Sequence, residues 1–141
     1  LCDAMHFAEE MTSYFRHKRP ALPAIVLSDP GHITCVGNDE GFDAIFARGV
    51  EAHGKPGDLL IVLTTSGNST NLVTAVDTAL EMGLTTVAFL GKGGGRLRGR
   101  CDFEWSVDGF TYSDRVQEAH MAAIHIIIEQ VETHLFSHAH H

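Results

Sequence analysis

Residues 59–70 read LLIVLTTSGNST, an apolar run that passes directly into hydroxyl-bearing residues and one glycine. The run from Leu59 to Thr64 is apolar along nearly its whole length, which is typical of a strand covered by helices on both faces of a sheet. A helical pattern follows at once, from Asn71 to Met82. This order of strand, polar turn and helix predicts an α/β fold with a parallel sheet.

The rest of the chain alternates in the same way between strand-like and helical periodicity. Three further strands are predicted, at Ala24–Leu27, Thr85–Leu90 and Phe103–Val107. Three further helices are predicted, at Ala4–Phe15, Phe42–His53 and from Ser113 to about Thr133. We therefore expect a parallel sheet flanked by helices, with no internal repeat.

The composition excludes several classes of function. With 141 residues, 44% hydrophobic and 20% charged, the chain has the size and balance of one globular domain. A formal net charge of −8 disfavours nucleic acid and anionic lipid as partners, and Arg96, Arg98 and Arg100 come nearest to a basic patch. We expect no membrane span and no secretory leader, because no apolar run reaches about 18 residues.

The cysteines and the two chain ends indicate the redox environment and the extent of the domain. The three cysteines are widely spaced, which favours free thiols in a reducing cytoplasm over disulfides or a zinc knuckle. The chain starts inside a helical pattern without an initiator methionine, so we expect preceding residues. We expect one domain over residues 1–136, followed by a His-rich tail over 137–141 that is frayed or a purification remnant.

The polar turn after the Leu59–Thr64 strand is the best candidate for an anion site. A helix N-terminus exposes unpaired N–H groups and about half a positive charge, to which Thr65, Ser66 and Ser69 add hydroxyls. The alternative is that these residues only form the turn and cap the helix, with Ser69 as N-cap. The glycine-rich residues 91–95 follow neither phosphate-loop pattern and are expected to form a mobile loop.

Three residues in the helical segments could take part in acid–base or metal chemistry. His6 and Glu10 are four residues apart, so they share one helix face either as a surface ion pair or as ligands of one metal ion. His125 lies in the apolar run IHIII at residues 124–128. It is either a core histidine with its hydrogen bonds satisfied or a catalytic base.

Four motifs read together resemble the phosphoheptose isomerases, which are sugar-isomerase (SIS) domain enzymes. They are CDAMHFAEE at 2–10, CVGND at 35–39, TTSGNS at 64–69, and DRVQEAH at 114–120 followed by His125. The resemblance runs from the first residue to about Leu135. It implies a three-layer α/β/α fold whose first strand and N-terminal helices would precede this chain, assembled as a homotetramer with active sites at subunit interfaces.

The resemblance also implies an activity and roles for individual residues. The family interconverts sedoheptulose 7-phosphate and D-glycero-D-manno-heptose 7-phosphate, the entry step to the heptoses of bacterial lipopolysaccharide cores. Glu10 would be the general base and His125 its acid–base partner. Zinc would be held by His6, Glu10, Gln117 and His125. The phosphate would bind at Thr64, Thr65, Ser66 and Ser69, and the sugar at Asn38, Asp39, Asp114 and Gln117.

One departure and two rival functions accompany the resemblance. Where relatives often read Thr-Gly-Arg-Tyr, this chain reads Thr12-Ser13-Tyr14-Phe15, which removes an arginine. The rivals are a non-catalytic SIS-domain adaptor that binds a protein partner, and a sugar-phosphate-binding regulatory domain. The adaptors lack the residues that match Glu10 and His125. The regulatory domain would need a DNA-binding module or a basic face.

Overall fold

The computed structural model describes residues 1–136, which form two compact units. The first unit combines Leu1–Val26 with the described residues from Gln117 onward, 117–136, and the second unit is Leu27–Val116. In chain order the helices and strands are α1 (Cys2–Thr12), α2 (Pro30–Asp39), α3 (Ile45–His53), β1 (Leu59–Leu63), α4 (Thr70–Glu81), β2 (Thr85–Gly91), β3 (Phe103–Val107) and α5 (Ser113–Phe136). Two short 3-10 helices lie at Phe42–Ala44, directly before α3, and at Gly95–Leu97, between β2 and β3.

The Leu27–Val116 unit is built on a three-stranded parallel sheet in the order β1-β2-β3. Leu59 pairs with Thr85 and Val87 pairs with Phe103, so the carboxyl ends of all three strands lie at one edge of the sheet. Parallel strands need a crossover connection, and α4 supplies it between β1 and β2. The helix ends at Glu81, and Gly83, just beyond its cap residue Met82, has a φ of 77°, the left-handed conformation that glycine adopts most easily.

Two apolar clusters give this unit its core, and α4 contributes to both. One cluster joins the sheet to α4 and the second 3-10 helix, and its buried residues are Val62, Val73, Val76, Ala88, Leu90 and Leu97. The other joins α3 to α4 and contains Val50, Ala75, Ala79 and Leu84. Helix α4 is therefore buried on two faces, and half of its 12 residues are apolar.

The predicted fold class, a parallel sheet flanked by helices, is confirmed, and so are the strands that begin at Leu59, Thr85 and Phe103. The strand predicted at Ala24–Leu27 is wrong, because an extended segment becomes a strand only by pairing, and β1 pairs with β2 alone among the described residues. Helix α1 ends at Thr12 rather than Phe15. Among residues 1–136, no helix combines the length and apolar character that a membrane crossing requires.

Helix α2 was not predicted, although its start carries a recognisable signal. Asp29 is the N-cap and accepts the His32 N–H at 2.7 Å, and Pro30 occupies the first helical position. The body of the helix contains two glycines and several β-branched residues, which have low helix propensity. The capping signal therefore identifies this helix better than the composition of its interior.

A polar contact joins β2 to the turn before β3. Asp102 accepts hydrogen bonds from the N–H and the hydroxyl of buried Thr86, at 2.8 and 2.9 Å, and its own N–H donates back to the Thr86 hydroxyl. The hydrogen bonds from Thr86, the backbone N–H first and the hydroxyl second, hold the pKa of Asp102 below its usual value. Asp102 thus stabilises the fold in its charged form.

We expect Asp102→Asn to lower the unfolding midpoint at neutral pH and to flatten its acid dependence. A carboxyl with a lowered pKa in the folded state stabilises the fold above its unfolded pKa of about 3.9, and this contribution is lost as the pH falls through the folded value. Urea unfolding from about pH 7 to about pH 2 measures both effects. Exposed Asp43, changed to Asn, is the control, and an acid dependence that Asp102→Asn leaves unchanged would contradict this account.

Candidate functional site

Three side chains of the first unit meet at one point. His6 and Glu10 lie one turn apart on α1, with His6 Nε2 3.2 Å from Glu10 Oε1. His125, 119 residues from His6, comes from α5, and its Nε2 lies 3.2 Å from His6 Nε2 and 3.8 Å from Glu10 Oε2. One ligand atom from each residue lies within 4.8 Å of the others, so the three can hold one metal ion.

The burial of this cluster supports its fit to a metal. The Glu10 side chain is 18% exposed, and its buried Oε2 has no hydrogen-bond partner among residues 1–136. A buried carboxylate oxygen without a partner is costly, and a bound cation would satisfy it. Zinc–nitrogen bonds of about 2.0 to 2.1 Å in tetrahedral geometry separate two donor atoms by about 3.3 Å, close to the 3.2 Å between the two imidazoles.

The other predicted ligand, Gln117, lies on α5 eight residues before His125 and is exposed. Eight residues correspond to about 12 Å of helical rise, so a shared ion would require extended side chains. Its place among the ligands stays a prediction. His120, between them on the helix, is 1% exposed and belongs to the buried part of α5.

The predicted phosphate loop lies in the second unit, between the end of β1 and the start of α4. Thr64 is buried, and its hydroxyl accepts the N–H of Gly67 at 3.1 Å. Gly67 has a φ of 66°, and a Cβ there would lie 1.8 Å from the carbonyl oxygen of Gly94. Only glycine permits this close approach, so a side chain at position 67 would disrupt the backbone conformation of the loop.

The hydroxyls of the loop differ in what they already bind. Ser69 is the N-cap of α4 by position, but its side chain makes no capping hydrogen bond. Thr65 donates to the Ser113 hydroxyl at 3.2 Å, and the Ser66 hydroxyl accepts the Asn68 N–H at 3.3 Å. Side-chain capping of α4 therefore does not explain why a serine occupies position 69 of this loop.

Two cations beside the loop were not singled out as site residues in the sequence. Lys92, which has a positive φ of 53°, donates to the Ser113 hydroxyl at 3.1 Å, and Ser113 also accepts from Thr65. Arg96 donates to the Thr70 hydroxyl at 3.0 Å, and its N–H donates to Asn68. Sequence spacing could not reveal either contact, because the pairs are more than twenty residues apart.

Residues 91–95, predicted to be a mobile loop, form a close-packed turn against the phosphate loop. Besides the Gly67 contact, a Cβ on Gly95 would lie 2.3 Å from the carbonyl oxygen of Ser66. Asp108 accepts the N–H of Gly93 at 2.7 Å and the Ser106 hydroxyl at 2.8 Å. These two hydrogen bonds hold the pKa of Asp108 below its usual value. Gly91, Gly94 and Gly95 are thus required by close packing, whereas Gly93 is required by its positive φ of 81°.

Three of the four predicted sugar contacts lie at two other places in this unit, and the fourth, Gln117, belongs to the other unit. Asn38 and Asp39 end α2, where the Asn38 amide donates to Asp39 Oδ1 at 2.9 Å. Asp114 stands in the first turn of α5, next to Ser113, and accepts the N–H of Arg115. All three side chains are exposed, and their role as sugar contacts stays a prediction.

Comparisons with known proteins agree with this architecture. A family model described as SIS domain matches residues 1–91. The phosphoheptose isomerase of Fusobacterium nucleatum is 59% identical over 135 residues, which are 96% of this chain and 69% of that protein. The phosphoheptose isomerase of an Enterobacter species is 52% identical over 131 residues, covering 93% of this chain and 68% of that protein.

Solved structures give the same result for the fold. A phosphoheptose isomerase from Francisella tularensis superposes with a TM-score of 0.86 at 37% identity, covering 91% of this chain and 69% of that one. One from Neisseria gonorrhoeae superposes with a TM-score of 0.84 at 35% identity, covering 94% and 70%. From both kinds of comparison, together with the geometry described above, we conclude that the chain belongs to the phosphoheptose isomerase family of SIS-domain enzymes.

Proposed function

We propose that this chain interconverts D-sedoheptulose 7-phosphate and D-glycero-D-manno-heptose 7-phosphate, in the bacterial synthesis of heptose for lipopolysaccharide cores. The observation that carries the proposal is the Glu10 carboxylate, which has one buried oxygen without a hydrogen-bond partner and lies within 4 Å of His6 and His125. The relatives at 48–59% identity support it. The adaptor and regulatory alternatives are not favoured, because these relatives are phosphoheptose isomerases.

The reaction needs one proton moved between C1 and C2 of the sugar and one between the two oxygens. In this proposal Glu10 takes the carbon-bound proton and His125 exchanges protons with the substrate oxygens, which gives an enediol between ketose and aldose. The partly exposed His125 side chain, at 39%, is accessible to a ligand. Two acid–base groups 3.8 Å apart can serve adjacent carbon and oxygen atoms of one sugar.

Zinc is the cofactor we propose for this site. His6, Glu10 and His125 would hold it, with Gln117 as the fourth protein ligand. Imidazole nitrogens and a carboxylate oxygen are ligands that suit zinc. When bound, zinc supplies a Lewis acid that polarises a carbonyl oxygen. Ligand and acid–base functions therefore overlap at Glu10 and at His125, and the Glu10→Gln variant separates them at Glu10.

The phosphate of the substrate is proposed to bind at Thr64, Thr65, Ser66 and Ser69. Backbone N–H groups at the start of α4 and the hydroxyls of the loop suit an anion, and Lys92 and Arg96 add positive charge beside the loop. Asn38, Asp39, Asp114 and Gln117 are the proposed contacts to the sugar.

The remaining features of the proposal concern the whole protein. Residues 1–136 would form the SIS domain, and residues 137–141, which lie outside the described residues, its His-rich tail. The protein would be a homotetramer of the cytoplasm, with neither nucleic acid nor membrane as a partner. The acidic net charge supports the absence of nucleic acid.

Glu10→Gln is expected to lower turnover by about 10²- to 10⁴-fold at every zinc concentration, because an amide cannot accept the carbon-bound proton. The protein is incubated with sedoheptulose 7-phosphate, and aldoheptose phosphate is followed by NMR while zinc is varied. Glu9→Gln, at the exposed neighbouring position, is the matched control and should stay within about twofold. Recovery of the Glu10→Gln rate by excess zinc would show Glu10 to be a ligand only.

Ser69→Ala is expected to raise KM for the sugar phosphate by about ten- to a hundredfold with a much smaller change in kcat. A hydrogen bond to a charged group contributes about 1.5 to 3 kcal/mol, and this hydroxyl makes no capping bond whose loss would complicate the result. The control is competition by inorganic phosphate, which should weaken in parallel. Unchanged KM and unchanged phosphate inhibition would place the anion elsewhere.

A further inference from the structure

A buried ion pair lies close to the candidate metal site of His6, Glu10 and His125 in the first unit. Arg19 Nε is 2.7 Å from Glu132 Oε1, and the two side chains are only 3% and 11% exposed. Desolvation offsets most of the attraction in such a pair, so its net contribution to stability is small. The pair instead fixes the relative positions of the groups around it, because the planar guanidinium donates to several acceptors in one rigid geometry.

The guanidinium of Arg19 also binds the end of α1. Its Nη2 donates to the carbonyl oxygen of Glu10 at 2.7 Å, and its Nη1 donates to that of Met11 at 2.9 Å and to that of Ser13 at 3.2 Å. The last carbonyls of a helix lack partners within the helix, and a cation is favourable there. Arg19 therefore holds the backbone of Glu10 itself.

The carboxylate of Glu132 holds the segment that follows α1. It accepts the N–H of Phe15 at 2.9 Å and that of Arg16 at 3.4 Å. Burial, the largest single effect, raises the pKa of Glu132, but the hydrogen bonds from Phe15, Arg19 and Arg16 together bring it below its usual value. Glu132 is therefore charged at neutral pH and can serve all three donors.

Phe15 connects this arrangement to His125. Its ring stacks on the imidazole, with 5.4 Å between centroids and 17° between planes. The His6 ring also lies beside this imidazole, at 5.2 Å between centroids. His125 and Glu132 are seven residues apart on α5, close to two turns, so they lie on the same side of the helix.

We propose that the Arg19–Glu132 pair is a positioning device that sets Glu10 and His125 at the separation the site requires. It acts on Glu10 through the backbone carbonyl and on His125 through Phe15, without touching a ligand atom of either residue. This inference rests on the proposed function of the site and adds two residues and an aromatic contact to it. Loss of the pair would loosen the site while every ligand remained present.

The experiment compares metal binding by the wild-type protein, Arg19→Lys and Glu132→Gln. Arg19→Lys keeps the charge but loses the planar set of donors, and Glu132→Gln keeps the shape but loses the charge. Zinc affinity is measured by competition with a chromophoric chelator, and the visible spectrum of bound Co²⁺ reports ligand geometry. We expect zinc affinity to fall by about 10- to 100-fold, as for other groups that orient metal ligands, with a changed Co²⁺ spectrum.

Glu129→Gln is the matched control. Glu129 pairs with Arg16, so it joins the same loop to the same helix, but this pair is exposed at 54% and 41% and holds no part of α1. We expect its zinc affinity to stay within about twofold of wild type. Thermal unfolding of the metal-free proteins separates loss of folding from loss of positioning, because a folded variant must still show weaker zinc binding.

Phe15→Leu is a second variant that does not disturb the buried charges. It keeps the N–H bond to Glu132 and removes the ring that stacks on His125, and we expect it to alter the Co²⁺ spectrum. Wild-type affinity and spectrum in a folded Arg19→Lys, Glu132→Gln or Phe15→Leu protein would overturn this inference alone. A wild-type protein that binds neither ion would overturn both the metal site and the positioning device.

Discussion

The parallel pairing of β1 with β2 is the constraint on which the Leu27–Val116 unit depends. Because the two strands run in the same direction, α4 must lie between them in the chain, and the loops after both strands start at one edge of the sheet. There Gly67 approaches the Gly94 carbonyl so closely that no side chain would fit. The shape of the predicted phosphate loop thus depends on the parallel direction of the two strands. It also depends on the close contact between Gly67 in this loop and Gly94 in the loop after β2.

Buried charged side chains organise the unit that combines Leu1–Val26 with residues 117–136. Glu10 has a buried oxygen without a partner, whereas the carboxylate of Glu132 and the guanidinium of Arg19 bond to each other and to backbone groups around them. The contrast is informative, because a fold that satisfies the buried Glu132 carboxylate with three hydrogen bonds leaves an oxygen of Glu10 unsatisfied a few ångströms from two imidazoles. That is the electrostatic environment in which a cation binds strongly.

The departure from the family pattern at Tyr14-Phe15 also takes on a structural meaning. Tyr14, at the position where relatives often have arginine, is 50% exposed. Phe15 stacks on His125 and binds Glu132 through its backbone, so this segment contributes to the site by ring contact and by its main chain. The chain without this arginine thus has contacts from Phe15 to both His125 and Glu132.

The sequence by itself determined the alternation of strands and helices, the polar loop after β1 and the pairing of His6 with Glu10, because each depends on neighbours within a few residues. Only the tertiary structure decided that His125 joins His6 and Glu10, since the contact spans 119 residues and α5 carries several polar groups that could equally have faced it. The expected strand at Ala24–Leu27 failed for the same reason, because pairing depends on a distant partner. Arg19, in the run RHKR, looks like a surface cation in the sequence, and only the chain fold surrounds it with a carboxylate and the carbonyls of a helix end.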